Sequence, residues 1–161
     1  MIIRKYQPSD CETLAELLYN TVHTVNAKDY TQEQLDAWAT RKVDLEKLNR
    51  SFQNHYCIVA IDDEIIIGFG DIDKFGYLDR LFIHKDYQGK GVATAICNKL
   101  EQVVQGKVVT HASITAKSFF EKRGYMIVKE QEVERQGVKL TNFIMEKIVN
   151  TPACHITPAK R

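Results

Sequence analysis

The sequence has 161 residues, of which 44% are hydrophobic and 27% are charged, with a formal net charge of +1. This length predicts one domain with a substantial hydrophobic core. Acidic and basic residues are interspersed, so a surface dedicated to nucleic acid or to a membrane is not expected, and no apolar run has membrane-spanning length. Four cysteines without C-x-x-C spacing are typical of reduced thiols, so we expect a cytoplasmic globular protein. Whether it is a monomer or a homodimer does not follow from the residues.

The first third of the sequence predicts one strand followed by helices. Residues 2–6, Ile-Ile-Arg-Lys-Tyr, predict a first strand, and residues 11–25 repeat apolar side chains at helical spacing. Thr31 to Gln34 form a capping box that starts a shorter helix. Asp44 is placed to cap a third helical piece over residues 45–52.

The rest of the sequence predicts mainly strands. Two helices interrupt them, one beginning at Val92 and one over residues 115–122. The predicted strands cover residues 56–61, 64–71, 77–83, 107–112, 125–134 and 138–148. This order predicts an α/β (α+β) fold in which helices cover both faces of a mixed sheet. Residues 1–148 would form the single domain, and residues 149–161, with two prolines, a C-terminal tail.

A glycine turn between a strand and a helix is the most informative stretch. The strand of residues 77–83 is followed by Gly89 and Gly91, and then by the helix that begins at Val92. The first N–H groups of a helix have no internal partner and lie at the positive end of its dipole. Glycines let a ligand approach the backbone closely. The order of these elements therefore predicts a phosphate-binding site.

The spacing of the turn excludes two common phosphate-binding loops. A P-loop would require glycine at position 84 and serine or threonine at position 91, where the chain has His84 and Gly91. A dinucleotide-binding loop would require a third glycine after Gly91, which is absent. The turn Gln88-Gly89-Lys90-Gly91-Val92-Ala93 fits the pattern [RQ]-x-x-G-x-[GA] instead.

That turn resembles the acyl-CoA pyrophosphate loop of the GNAT superfamily of N-acetyltransferases. On its own the hexapeptide is also compatible with a plain strand-to-helix turn. A second segment, residues 116–125, resembles the family's A-x-x-[LF]-Y-[EK]-x-x-G-[FY] motif at the expected distance after the loop. The chain is thus similar to small, single-domain GNAT enzymes of bacterial type, over roughly residues 1–148.

The resemblance implies a GNAT-like, mostly antiparallel sheet of about seven strands, with acetyl-CoA as co-substrate and no metal. A strand is expected to splay open beside the central strand, and the pantetheine arm to lie in the gap. The residues then expected to contact acetyl-CoA are Leu81, Phe82, Ile83, Gln88, Gly89, Lys90, Gly91, Val92, Ala93, Ser113, Lys117 and Phe120. The two lysines would add positive charge near the phosphates, although exposed lysines are more often solvated surface.

Acetyl transfer to an amine requires two proton transfers. An alkyl ammonium with a pKa of about 10.4 is almost fully protonated near pH 7, so a base must free its lone pair. Asp79, two residues before Leu81, is the candidate base; the alternative is a carboxylate paired with Arg80. The family's usual proton donor is a tyrosine, which Phe120 replaces here. Either the thiolate leaves unaided or the donor is one of Ser113, Thr115, Tyr77 and His111.

The sequence gives fewer indications of the acceptor, the amine substrate that receives the acetyl group. The resemblance implies a pocket between the first helices and the later strands, which Tyr30, Trp38 and Phe75 are expected to line. Trp38 fits a core position beside Leu35 equally well. We expect an enzyme that moves an acetyl group from acetyl-CoA to a primary amine of a small molecule, by direct attack in a ternary complex. The alternatives are a non-catalytic acyl-CoA-binding regulatory module, which Phe120 favours, and a protein or tRNA acetyltransferase.

Overall fold

The structure is a computed structural model, and it describes residues 1–150. The strands are β1 (Ile2–Lys5), β2 (Tyr56–Asp62), β3 (Ile65–Ile72), β4 (Tyr77–Ile83), β5 (Gly106–Ser113), β6 (Met126–Arg135) and β7 (Val138–Val149). The helices are α1 (Cys11–Thr24), α2 (Gln32–Trp38), α3 (Leu45–Asn54), α4 (Val92–Gln102) and α5 (Lys117–Lys122). The bounds of these elements lie within two residues of those predicted. The predicted tail overlaps β7 at Val149, and residues 151–161 lie outside the described residues.

Two of the helices begin at the capping side chains that the sequence predicted. At the start of α2, the Thr31 hydroxyl accepts the Gln34 N–H at 3.2 Å, and the Gln34 side chain accepts the Thr31 N–H at 2.9 Å. At the start of α3, the Asp44 carboxylate accepts the Lys47 N–H at 3.1 Å. Each side chain therefore satisfies N–H groups that a helix cannot pair internally.

All seven strands form one sheet in the order β1-β2-β3-β4-β5-β7-β6. Every neighbouring pair is antiparallel except β4 and β5, which are parallel. The predicted mixed, mostly antiparallel sheet of about seven strands is confirmed.

Helices cover both faces of the sheet, as predicted. On one face α4 buries Ile96 and Leu100 in the larger core, to which α5 adds Phe120. On the other face α1 and α3 pack around Phe69 of β3. A Cβ on Gly70 would lie 2.9 Å from Ile96 Cγ2, so glycine allows α4 to approach β3 closely. Within residues 1–150, no helix is both long and apolar enough to span a membrane.

The edge of β4 is where the sheet opens. Opposite β3, Arg80 pairs with Asp71 and Leu78 pairs with Ile72, so Asp79 is the extra residue of a β-bulge. On its other side β4 pairs with β5 only at Tyr77 and Leu78. The β5-facing edge from Asp79 to Ile83 is therefore unpaired, and the gap that the resemblance implied is present.

Candidate active site

A cavity of about 490 Å³ occupies the gap between β4 and β5. This volume is typical of a small-molecule site. Its walls come from the end of β4, the glycine turn, the start of α4, the end of β5, and α1, α2 and α5. The predicted site residues that line it are Asp79, Leu81, Phe82, Ile83, Gln88, Gly89, Gly91, Val92, Ala93, Ser113, Phe120 and Trp38.

The glycine turn forms one end of the cavity. Gly89 and Gly91 have φ values of 71° and 82°, a region that glycine adopts at least cost. A Cβ on either residue would meet no protein atom within 4 Å, so the space beside the turn is open. Gln88 fixes the turn by donating from Nε2 to the Ile83 carbonyl at 2.6 Å. Gly91 caps α4, whose first N–H groups lack helical partners and suit an anion.

Asp79 lies on the bulge and lines the cavity, with 32% of its side chain exposed. Burial raises the pKa of its carboxyl group, and the positive charge of Arg80 opposes that rise. Arg80 Nη1 lies 3.6 Å from Asp79 Oδ2. A partly desolvated carboxylate with a raised pKa holds a proton more readily, which is what a general base requires.

Asp71 on β3, which the sequence analysis did not select, is fully buried behind Asp79. Its carboxylate accepts hydrogen bonds from the Arg80 side chain at 2.6 Å and from His55 Nδ1 at 2.9 Å. The hydrogen bond to Asp71 raises the pKa of His55. One ligand atom each of His55, Asp71 and Asp79 lies within 4.8 Å of the others, but Arg80 already supplies the positive charge among these acids.

The opposite wall of the cavity is the turn between β5 and α5. Asn26, just after α1, donates to the Ser113 hydroxyl at 3.5 Å, and both residues line the cavity. Thr115 donates to the Asp29 carboxylate at 2.7 Å. These contacts join the α1–α2 connection to the β5–α5 turn.

Comparison with known proteins identifies the family. Residues 26–147 match the model of the acetyltransferase (GNAT) domain. The chain is also 35% identical over 144 residues to YafP, an uncharacterized N-acetyltransferase of Escherichia coli K12, covering 89% of this chain and 93% of YafP. The chain belongs to the GNAT family of acetyltransferases.

Solved GNAT structures share the fold. A GCN5-related N-acetyltransferase from Rhodopseudomonas palustris superposes with a TM-score of 0.88 and 28% identity, covering 92% of this chain and 95% of that chain. PaiA N-acetyltransferase from Thermoplasma acidophilum, in complex with coenzyme A, superposes with a TM-score of 0.74 and 22% identity, covering 91% and 98%. The protein is thus an acyltransferase that uses acetyl-CoA. The open strand edge and the glycine turn fit this co-substrate.

Two of the aromatic residues predicted for the acceptor pocket lie elsewhere in this GNAT enzyme. Phe75 is on the β3–β4 turn, before the strand reaches the gap, and is 81% exposed. The buried Tyr30 hydroxyl accepts the Ile114 N–H at 2.9 Å and donates to the Thr141 carbonyl at 2.8 Å, so it joins the β5–α5 turn to β7. Trp38 lines the cavity and has its ring centroid 6.4 Å from that of Phe82.

The two lysines predicted near the phosphates do not line the cavity either. Lys117 Nζ lies 3.6 Å from the Glu121 carboxylate and 5.1 Å from the centre of the Phe143 ring. Lys90 Nζ lies 5.3 Å from the centre of the Tyr87 ring. A role in phosphate binding remains a prediction for both.

Phe120 is buried and lines the cavity, so the position of the family's tyrosine carries no hydroxyl group. Of the alternative donors, Ser113, Thr115 and His111 line the cavity. Thr115 is already bonded to Asp29. Tyr77 does not line the cavity, and burial raises its pKa to about 12. His111 lies against Tyr77, with ring centroids 5.1 Å apart.

Proposed function

We propose that this GNAT enzyme transfers the acetyl group of acetyl-CoA to a primary amine of a small molecule, with both substrates bound together. The observation that carries the proposal is the bulged, half-paired β4. One strand presents Asp79 and an unpaired backbone edge to the same cavity, which the glycine turn closes at one end.

We assign the binding of acetyl-CoA to the backbone of β4 and of the glycine turn. The free edge at Leu81 and the N–H of Ile83 suit the amides of a pantetheine arm, because an extended ligand can add to an unpaired strand. The Ile83 carbonyl already accepts a hydrogen bond from Gln88. The N–H groups from Gln88 to Ala93 suit the pyrophosphate, since they lie at the start of α4. Val92 and Phe120 provide apolar wall between these two ends.

Asp79 is the base in this proposal. Its carboxylate takes a proton from the substrate ammonium, directly or through one water molecule, and the freed lone pair attacks the thioester carbonyl. A C–N bond forms, the C–S bond breaks, and the nitrogen loses its second proton to solvent. The thiolate takes up a proton from solvent, Ser113 or His111. Holding amine and thioester together supplies much of the rate.

The charge of the cavity wall supports a small cationic acceptor. Among the described residues that line it, Asp79 is the one carboxylate, and none is lysine or arginine. A tRNA substrate would require cationic side chains for its phosphates. Trp38 and Phe82 add aromatic surface beside Asp79, which suits the alkyl part of an amine.

The test is release of coenzyme A thiol from acetyl-CoA over a panel of small primary amines. Asp79→Asn is expected to lower kcat about 100-fold or more, as loss of a general base does, with acetyl-CoA affinity unchanged by calorimetry. The control is Asp86→Asn, an exposed carboxylate outside the cavity. Acetyl-CoA binding without turnover of any amine would support the non-catalytic module instead. Full activity of Asp79→Asn would exclude Asp79 as the base.

A further inference from the structure

We propose that Asp71 is a positioning residue whose buried carboxylate fixes the bulge of β4 and so places Asp79. Its effect on catalysis depends on the function proposed above for Asp79. Its effect on the backbone of β4 does not.

Burial of the Asp71 carboxylate is costly, and its hydrogen bonds compensate this cost. The residue has 0% exposure inside β3, where a carboxylate is strongly disfavoured unless hydrogen bonds and an opposite charge compensate it. Oδ1 accepts the backbone N–H of Arg80 at 2.9 Å. Oδ2 accepts Arg80 Nη1 at 2.6 Å and His55 Nδ1 at 2.9 Å. Arg80 and His55 thus donate three hydrogen bonds to a carboxylate that can accept about four.

The hydrogen bond from the Arg80 N–H to Asp71 lies where the pairing of β3 and β4 is interrupted. In a regular antiparallel ladder, the strand N–H groups donate to carbonyl groups of the neighbouring strand. Here the N–H of Arg80 donates to a side chain, at the point where the pairing changes register between Asp71 and Ile72. The carboxylate therefore supplies the acceptor that the interrupted ladder lacks, and it leaves Asp79 as the extra residue.

The hydrogen bonds to Asp71 also hold the Arg80 side chain beside Asp79. Besides Asp71, the guanidinium donates to the Ser51 hydroxyl at 3.0 Å and lies 4.9 Å from the centre of the Phe52 ring. Its Nη1 is then 3.6 Å from the Asp79 carboxylate. Arg80 is thus held from three sides, which fixes the counter-charge of the proposed base.

The consequence follows from strand geometry. Successive side chains of a strand point to opposite faces, so a shift of one residue in register moves every side chain to the other face. Without the Asp71 carboxylate, the bulge loses its backbone partner at Arg80. Asp79 and the free edge at Leu81 and Ile83 would then lose their fixed positions against the cavity.

The test compares Asp71→Asn with a matched variant, Asp10→Asn. Asp10 is also buried, and it accepts two bonds from Arg4 at 2.8 and 2.9 Å and the Gln7 N–H at 2.8 Å. It lies before α1, away from the cavity. Both variants are expected to lower Tm, since each removes a charge from a similar buried pair.

Only Asp71→Asn is expected to change β4. An asparagine keeps one oxygen for the Arg80 N–H, but its NH2 group faces two donors, Arg80 Nη1 and His55 Nδ1, so the side chain loses its fixed position. Exchange of the Arg80 amide hydrogen, followed by NMR, should become about tenfold faster, because local opening controls exchange. Acetyl-CoA affinity should fall about tenfold, which is about 1.4 kcal/mol. In Asp10→Asn both should stay at their wild-type values. Wild-type amide exchange and affinity in a folded Asp71→Asn would overturn the proposal.

A milder variant keeps the proposal testable if Asp71→Asn does not fold. His55→Phe removes one bond to Asp71 and leaves its pair with Arg80. Faster exchange of the Arg80 amide in this variant would support the proposal, and unchanged exchange would overturn it. These measurements stand even if Asp79→Asn proves fully active. The proposed base would then be wrong, and the role of Asp71 in shaping β4 would still be decided.

Discussion

Gly91 is a single residue on which the proposed binding site for the phosphates depends. Its φ of 82° would strain any other residue, while a Cβ there would meet no protein atom within 4 Å. Gly91→Ala should therefore cost only the conformational penalty, about 1–2 kcal/mol in the free energy of unfolding. Gly91→Glu adds to this a carboxylate where we expect the pyrophosphate, and should abolish the rise of Tm with acetyl-CoA.

The matched control for this prediction is Gly137→Glu. Gly137 lies on the β6–β7 turn with a φ of 77°, and a Cβ there also meets no atom within 4 Å. Gly137→Glu therefore introduces the same backbone strain at a position away from the cavity. Thermal denaturation should show wild-type stabilisation by acetyl-CoA in Gly137→Glu and none in Gly91→Glu. Stabilisation of both variants would show that the glycine turn does not hold the pyrophosphate.

Asp79 also determines how the rate should depend on pH. Burial raises the pKa of its carboxyl group, although Arg80 limits the rise. A base acts only when ionised, so kcat/KM should fall as the pH decreases through that raised pKa. The midpoint of this acidic limb should lie above about 3.9, the pKa of an unperturbed aspartate. A pH profile of Asp79→Asn should lack the limb; if it keeps it, another group titrates.

Individual site residues could be predicted only where the signal was local in sequence. The glycine turn lies within six consecutive residues, and Asp79 was found by its distance from Leu81. The bonds that surround Asp79 join residues far apart, such as His55 and Asp71, and no spacing rule connects them. A buried acid within the apolar run of β3 was the one available signal for Asp71. Phe75 lies on the β3–β4 turn and does not line the cavity, and its residue type alone gave no indication of this position.

At the scale of elements, Glu101 anchors the helix that bears the glycine turn. Its buried carboxylate, near the end of α4, accepts bonds from Arg123 at 2.6 Å, Tyr125 at 2.9 Å and Lys147 at 3.1 Å. Burial alone would raise the pKa of Glu101, but these three bonds outweigh it and lower the pKa. Glu101→Gln should reduce the free energy of unfolding by about 3 kcal/mol, because it removes the buried charge that pairs with two partly buried cations, Arg123 and Lys147.

Urea denaturation of Glu101→Gln measures this effect, with Glu121→Gln as the control. Glu121 forms an exposed pair with Lys117, so its loss should cost less than about 1 kcal/mol. A carboxylate whose pKa is lower in the folded protein than in the unfolded chain stabilises the fold at pH values above its pKa in the unfolded chain. This stabilisation is lost as the pH falls through its pKa in the folded protein. The difference between wild type and Glu101→Gln should therefore shrink in acid. A constant difference down to low pH would mean that packing, not charge, accounts for the loss.

The elements themselves were predictable because their signals are periodic. Apolar residues at helical spacing give α1 and α4, and strand runs bounded by turns give β2 and β3. The order of the strands does not follow from periodicity. It depends on contacts such as the insertion of β7 between β5 and β6, which form only in the folded chain. The GNAT resemblance, rather than the strand patterns, led to the expectation of a gap beside β4.

At the scale of the whole molecule, charge separates the remaining substrate classes. The net charge is +1, yet the cavity wall has one carboxylate and no lysine or arginine among its described residues. A substrate cation near Asp79 gains roughly 1–4 kcal/mol of Coulomb energy at 4 Å, depending on the effective dielectric constant. A substrate carboxylate at the same place is disfavoured to a similar extent.

A matched pair of acceptors tests this conclusion. One is a linear diamine, and the other is the amino acid of equal chain length in which a carboxylate replaces one amine. The diamine should have the higher kcat/KM by about tenfold or more, as a difference of about 1.4 kcal/mol implies. High salt should reduce the preference, since ions screen charges at the open mouth of the cavity. Preference for the amino acid would contradict the prediction, and would show that the Arg80 guanidinium, 3.6 Å from the Asp79 carboxylate, outweighs Asp79 in the charge that the substrate meets.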